Sequence, residues 1–162
     1  ATAARAELFP DGVAASAKSM ATLNRSAAEV MEQYPVHACT DITGFGLLGH
    51  LYEMASGSKM QMEIVSGSIP LLLEAAAAAA MGLVPVGAYT NREYLKTITI
   101  DRSVPENIID LCFDPQTSGG LLISVPPSHA EKMLVDLHQA GLKQAAVIGR
   151  VTKAGRGEIY VS

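Results

Sequence analysis

Apolar positions along the chain switch repeatedly between a helical and a strand period, and the switches mark its elements. Val13, Ala17, Met20, Ala21, Ala28 and Met31 recur at helical spacing. They predict one helix, capped by Asp11 and running to about Gln33 before Pro35 stops it. Val36 to Ile42 reads as a short strand. Thr43 is the expected N-cap of a second helix, in which Phe45, Leu48, Leu51, Tyr52 and Ala55 share a face until Gly57. Lys59 to Ser66 alternates as a strand does. Ser68 and Pro70 are expected to open a helix through Leu71, Leu72, Leu73 and the run Ala75 to Ala80, closed by Gly82.

Pro85 to Tyr89 reads as a loop, and Thr90 with Glu93 as the capping box of a short helical turn around Arg92 to Leu95. Thr97 to Ile100 is a strand candidate. Ser103 and Glu106 form a further capping box ahead of Ile108, Ile109 and Cys112. Gly120 to Val125 has the unbroken apolar content of a buried strand, ended by Pro126-Pro127. Ser128 to Ala140 is the clearest helix, with a box at Ser128 and Glu131 and Gly141 beyond its end. Ala145 to Val151 and Glu158 to Val161 read as two strands joined by a Gly155-Arg156-Gly157 hairpin loop. Strands and helices mixed in this way predict an α+β sandwich.

Composition narrows the picture. With 49% hydrophobic and 17% charged residues the chain is too apolar for disorder, and its 162 residues suit a single domain over 1–162. The richest apolar stretch, Ile69 to Val86, is broken by Pro70, Glu74, Gly82 and Pro85, so a soluble protein with no membrane partner is expected. A formal net charge of −4 argues against nucleic acid as a partner. The two cysteines, Cys39 and Cys112, have no metal-ligand spacing and follow no signal-peptide pattern, which suits the cytoplasm. The chain opens Ala-Thr-Ala-Ala-Arg without Met, as if cut from something longer.

Chemistry concentrates in two stretches, Thr40-Asp41-Ile42-Thr43-Gly44-Phe45-Gly46-Leu47-Leu48-Gly49-His50 and Asp114-Pro115-Gln116-Thr117-Ser118-Gly119-Gly120-Leu121-Leu122. Asp41, at the end of a strand and beside Thr40, has the hard carboxylate oxygen that Mg²⁺ shares with phosphates. Thr43, Gly44 and Gly46 would let backbone and a helix start approach a phosphate. The purely structural alternative is a helix cap and Asx turn at Asp41 to Thr43, and a strand-positioning turn in the second stretch. Gly44 to Gly49 satisfies G-x-G-x-x-G, yet no βαβ context supports a dinucleotide site, and no lysine makes a P-loop. His37 and His50 lack a third ligand at zinc spacing, so a hydrogen-bonding or surface role is expected of them. Ser118 and Cys39 lack the partners of a nucleophile.

Both stretches, in order and spacing, closely resemble the signature segments in the second half of the selenophosphate synthetase (selenide, water dikinase) family, and the resemblance runs through nearly the whole chain. It implies the C-terminal domain of a two-domain enzyme that makes selenophosphate from selenide, ATP and water, releasing AMP and phosphate. The family uses Mg²⁺ and usually K⁺, and the aspartate matching Asp41 is one of several carboxylates that hold Mg²⁺ against ATP. The implied fold is a three-layer α/β/α sandwich with a mixed sheet, like the aminoimidazole ribonucleotide synthetase C-terminal domain and partly ferredoxin-like. The family's nucleophilic cysteine or selenocysteine, its partner lysine and the other carboxylates lie in a preceding domain outside these 162 residues. The resemblance therefore implies that this chain alone is inactive, that its first partner is the missing N-terminal domain, and that the whole enzyme is a homodimer. Two alternatives stay open: an aminoimidazole ribonucleotide synthetase-like enzyme domain, and a non-catalytic binding or scaffold module of the same fold.

Overall fold

The computed structural model describes residues 7–95 and 97–162. The expected domain span also takes in residues 1–6 and 96, which lie outside the described part. In chain order the elements are α1 (Pro10–Ala21), α2 (Arg25–Met31), β1 (Ala38–Asp41), α3 (Gly46–Ser58), β2 (Met60–Ile64), a 3₁₀ turn (Ser66–Ser68), α4 (Ala75–Ala80) and α5 (Val86–Tyr94). They continue with β3 (Ile98–Ile100), α6 (Glu106–Cys112), β4 (Leu121–Ser124), α7 (Pro127–Gln139), β5 (Gly149–Ala154) and β6 (Ile159–Val161).

The class is α+β with a mixed sheet, as expected. β1 and β4 form an antiparallel pair, and a separate four-stranded sheet has the order β3-β6-β2-β5. In that sheet β6 runs parallel to both β2 and β3, while β5 is antiparallel to β2, with a register shift between Gln61 and Met62. Alternation selects the buried face: Ile159 and Val161 of β6 and Met62 and Ile64 of β2 are buried, while Tyr160 between its neighbours stays exposed. Against them pack Leu48, Leu51 and Ala55 of α3, Ala88 of α5, and Ile109 and Cys112 of α6, with Phe113 just beyond it. Helix α3 touches both β1 and β2, so it links the small sheet to the large one.

Several boundaries differ from the pattern-based reading. The helix expected from Asp11 to Gln33 is two helices. Thr22 is extended, and its hydroxyl donates to the Lys18 carbonyl at 2.8 Å, a local bond that competes with helix continuation. Phe9 rather than Asp11 occupies the N-cap, with Pro10 at the first helical position. Leu71, Leu72 and Leu73 are not helical. Glu74 takes a left-handed φ of 63° and accepts from the Gly12 N–H at 2.7 Å, so the helix starts only at Ala75.

Val86 to Tyr89 is helical rather than loop, and the Thr90 hydroxyl bonds back to the Val86 carbonyl instead of capping a later start. The boxes at Ser103 and Ser128 make no cap bond; Pro105 and Pro126 hold those positions. The last two strands are not a hairpin. β5 begins at Gly149, not Ala145, and β2 lies between β5 and β6, because β6 finds its apolar neighbours beside β2 and β3.

Candidate functional site

The two glycine-rich stretches fold against each other. The first is the β1–α3 connection and the second is the α6–β4 connection. Pairing of β1 with β4 sets Asp41 opposite Leu121 and Thr40 opposite Leu122, which brings the loops beyond the strand ends together. The ladder then continues into the loops. The Ile42 N–H donates to the Gly120 carbonyl at 2.9 Å, the Gly119 N–H to the Ile42 carbonyl at 3.0 Å, and the Gln116 N–H to the Thr43 carbonyl at 3.0 Å. A Cβ at Gly119 would land on the Ile42 carbonyl oxygen, so this approach requires glycine there.

Side chains from elsewhere clamp the pair. Asn91 of α5 donates from Nδ2 to the Gly44 carbonyl at 2.9 Å and to the Phe113 carbonyl at 3.0 Å. Asn24, in the break between α1 and α2, donates to the Gly119 carbonyl at 2.9 Å. Neither asparagine carries a local sequence signal for this role, since each acts across a large sequence separation. Gly46 has φ +70°, and a Cβ there would come within 2.7 Å of the Phe113 carbonyl carbon. Gly44, in contrast, faces open space.

Thr43 is not the N-cap of α3; Phe45 is, because the helix begins at Gly46, whose N–H bonds the Thr43 carbonyl at 3.0 Å. The Thr43 hydroxyl instead lies 3.0 Å from His50 Nε2, and His50 Nδ1 lies 2.9 Å from Glu53 Oε2. His50 is buried, at 7% exposure. The hydrogen-bonding role expected for it is therefore the observed one. Glu53 was missed, although its position three residues after His50 on a helix was a readable signal.

Asp41 is exposed at the carboxyl end of β1 and forms no ion pair among the described residues. Thr40 is half-buried beside it, its hydroxyl 3.2 Å from the Asp41 carbonyl. Across the loops, burial pushes the Asp114 carboxyl up, a shift partly offset by the Gln116 amide, which donates to it at 2.6 Å. The Cys39 thiol is pushed up by desolvation and by the charge of Asp41, the reverse of what a nucleophile needs. Burial raises Cys112 to about 11.

Among the described residues no three His, Cys, Asp or Glu side chains group to hold a metal. Asp41 alone does not make a metal site among the described residues, and a hard cation there would need oxygen donors from elsewhere. Of the residues named from the pattern, Asp41 and Gly44 are exposed, Thr40 is half-buried in β1, the Thr43 hydroxyl is turned to His50, and Gly46 packs on the backbone of Phe113 and Asp114.

Comparison with known proteins finds relatives over nearly the whole chain. Residues 3–162 match the family described as AIR synthase related protein, C-terminal domain. The chain is 45% identical over 161 residues to a selenide, water dikinase of Caldanaerobacter subterraneus subsp. tengcongensis, covering 99% of this chain and 47% of that protein. It is 43% identical over 166 residues to one from Treponema denticola, with the same two coverages of 99% and 47%. It is 44% identical over 144 residues to selenide, water dikinase 2 of Peptoclostridium acidaminophilum, covering 89% and 42%. The chain therefore spans somewhat less than half the length of these relatives.

Among solved structures, hydrogenase maturation protein HypE in complex with ATP matches with TM-score 0.51 at 20% identity, over 87% of this chain and 37% of that one. That likeness concerns the fold. The family match runs through nearly every residue, and the chain belongs to the AIR synthase related protein C-terminal domain family.

Proposed function

We propose that this chain is the C-terminal domain of a selenophosphate synthetase, a two-domain cytoplasmic and homodimeric enzyme that forms selenophosphate from selenide, ATP and water with release of AMP and phosphate. The observation that carries the reading is Asp41, exposed and without an ion-pair partner among the described residues, at the meeting point of two interlocked loops. The relatives that share this chain's sequence almost end to end carry the name selenide, water dikinase, and the HypE structure was solved with ATP; both support the reading.

In this reading Asp41 is a Mg²⁺ ligand, and Thr40, Thr43, Gly44 and Gly46 form the loop against which the nucleotide phosphates lie. Bound Mg²⁺, with K⁺ as a second cation, would neutralise phosphate charge. This chain's part is to hold an oxygen donor rigidly and to point the N-terminus of α3 at the loop. The missing N-terminal domain supplies the nucleophile and the other carboxylates, so the 162 residues alone turn over no ATP.

The test is Asp41→Asn in the intact protein, assayed for selenide-dependent conversion of ATP to AMP. The expected loss exceeds about 100-fold, since even outer-shell partners of metals cost about 10- to 100-fold. ATP turnover indifferent to selenide would favour an aminoimidazole ribonucleotide synthetase-like activity. Unchanged Mg-ATP binding in Asp41→Asn would favour a scaffold module and overturn the assignment of Asp41.

A further inference from the structure

Strand β4 is more apolar than its surroundings explain. Leu121-Leu122-Ile123 runs without a polar interruption, the pattern of a strand covered on both faces. The structure covers it only in part: Leu121, Leu122, Ile123 and Ser124 are all half-buried. Residues directly opposed across an antiparallel pair project to the same side. Ala38 with Ser124 and Thr40 with Leu122 make one side of the small sheet, where Leu122 packs against the main core. Cys39 with Ile123 and Asp41 with Leu121 make the other, and there Cys39 and Asp41 are exposed.

A single exposed leucine is unremarkable, but an antiparallel pair that met only water on its outer side would alternate polar with apolar along both strands. β1 does so and β4 does not. The size of the patch indicates what covers it. Two four-residue strands present a strip of roughly 13 by 10 Å. Separate molecules need roughly 800 Å² a side for a stable interface, whereas a domain on the same chain is held close by its linker and seats on far less. The chain covers 47% of the Caldanaerobacter relative, so more than half of such a protein lies outside these residues.

We propose that the outer side of β1 and β4, with Leu121 and Ile123 at its centre and Asp41 at its end, is the surface on which the other domain of the parent protein sits. This rests on the reading of the chain as one domain of a two-domain enzyme, and it names where that domain meets it. Asp41 then lies at the seam, where oxygen donors of the second domain can reach it.

Hydroxyl-radical footprinting read by mass spectrometry tests the proposal, because it reports exposure without depending on any side chain's protonation. It is run on the 162-residue chain and on the intact parent. Leu121 and Ile123 should be oxidised in the chain and lose that oxidation in the parent, while Val86, 80% exposed on α5, serves as the internal reference. Equal oxidation of Leu121 and Ile123 in the two proteins overturns the proposal. Ile123→Asp in the parent should restore oxidation of Leu121 and leave the oligomeric state in sedimentation unchanged. If that variant instead turns a dimer into monomers, the occupant is a second copy and the proposal fails. Should Ile123→Asp not fold, the comparison of unsubstituted chain and parent decides.

Turnover of Asp41→Asn separates this inference from the reading beneath it. If Asp41→Asn abolishes selenide-dependent turnover while Leu121 and Ile123 stay oxidised in the parent, only the docking surface fails. If they are protected while Asp41→Asn turns over normally, the docking surface stands and the metal role of Asp41 fails.

Discussion

Gly44 and Gly46 stand two residues apart in one loop, yet the structure gives them different reasons to be glycine, and alanine substitution separates those reasons. At Gly46 a side chain meets two obstacles. Its φ of +70° costs a non-glycine residue about 1–2 kcal/mol. A Cβ would also sit 2.7 Å from the Phe113 carbonyl carbon and 2.9 Å from its oxygen, against backbone that has little freedom to retreat. Forced overpacking of this kind costs about 1–3 kcal/mol. Together these predict a loss of about 2–5 kcal/mol for Gly46→Ala, a large share of the 5–15 kcal/mol typical of a domain (roughly, for this size class).

In urea unfolding followed by far-UV circular dichroism, a loss of about 3 kcal/mol with a slope of about 2 kcal/mol/M lowers the midpoint by about 1.5 M. Gly44→Ala is the control. Its Cβ meets nothing within 4 Å, and its stability should stay within about 0.5 kcal/mol of the parent. In the intact protein Gly44→Ala should nevertheless weaken nucleotide binding, because the added methyl occupies the open side of the loop. The reasoning is refuted if Gly46→Ala unfolds at the parent midpoint, or if Gly44→Ala costs as much as Gly46→Ala.

Two further outcomes concern titration. Burial raises the Asp114 carboxyl, so the native state holds that proton more firmly than the unfolded chain does. The contribution to stability is full below the ordinary aspartate value of about 3.9 and is lost as pH rises through the raised one. Asp114→Asn, which keeps an acceptor for the Gln116 amide, should flatten the stability profile over that window and be at least as stable as the parent at neutral pH; an unchanged slope contradicts the account. For the thiols, Cys112 should resist alkylation until the chain is unfolded, being buried with its thiol raised to about 11. Exposed Cys39 should react slowly, and faster in Asp41→Asn, where the opposing charge is gone; equal rates in the two proteins would show that Asp41 does not govern it.

Much of this molecule was legible locally. The Leu121–Ser124 strand, the Pro127–Gln139 helix and the strand ending at Asp41 follow from apolar periodicity and from proline and glycine punctuation, which act over a few residues. The turns within the Thr40–His50 and Asp114–Leu122 stretches were readable too, because aspartate, hydroxyls and glycines favour turns and helix starts. The same signals failed where a distant partner decided. Glu74 turns left-handed and accepts from the Gly12 N–H, and β6 leaves its expected hairpin partner for β2 and β3.

What the sequence by itself determined is the identity of the elements and of the loop that bears Asp41. What only the tertiary structure decided is that the two glycine-rich loops lock together, that Asn91 and Asn24 clamp them, that Gly46 is spent on packing while Gly44 faces open space, and that the Thr43 hydroxyl meets the ring of buried His50. The physical reason is that propensity acts through neighbouring residues, whereas close approach and hydrogen-bond direction depend on groups brought together only once the apolar faces of α3 and the sheet are buried.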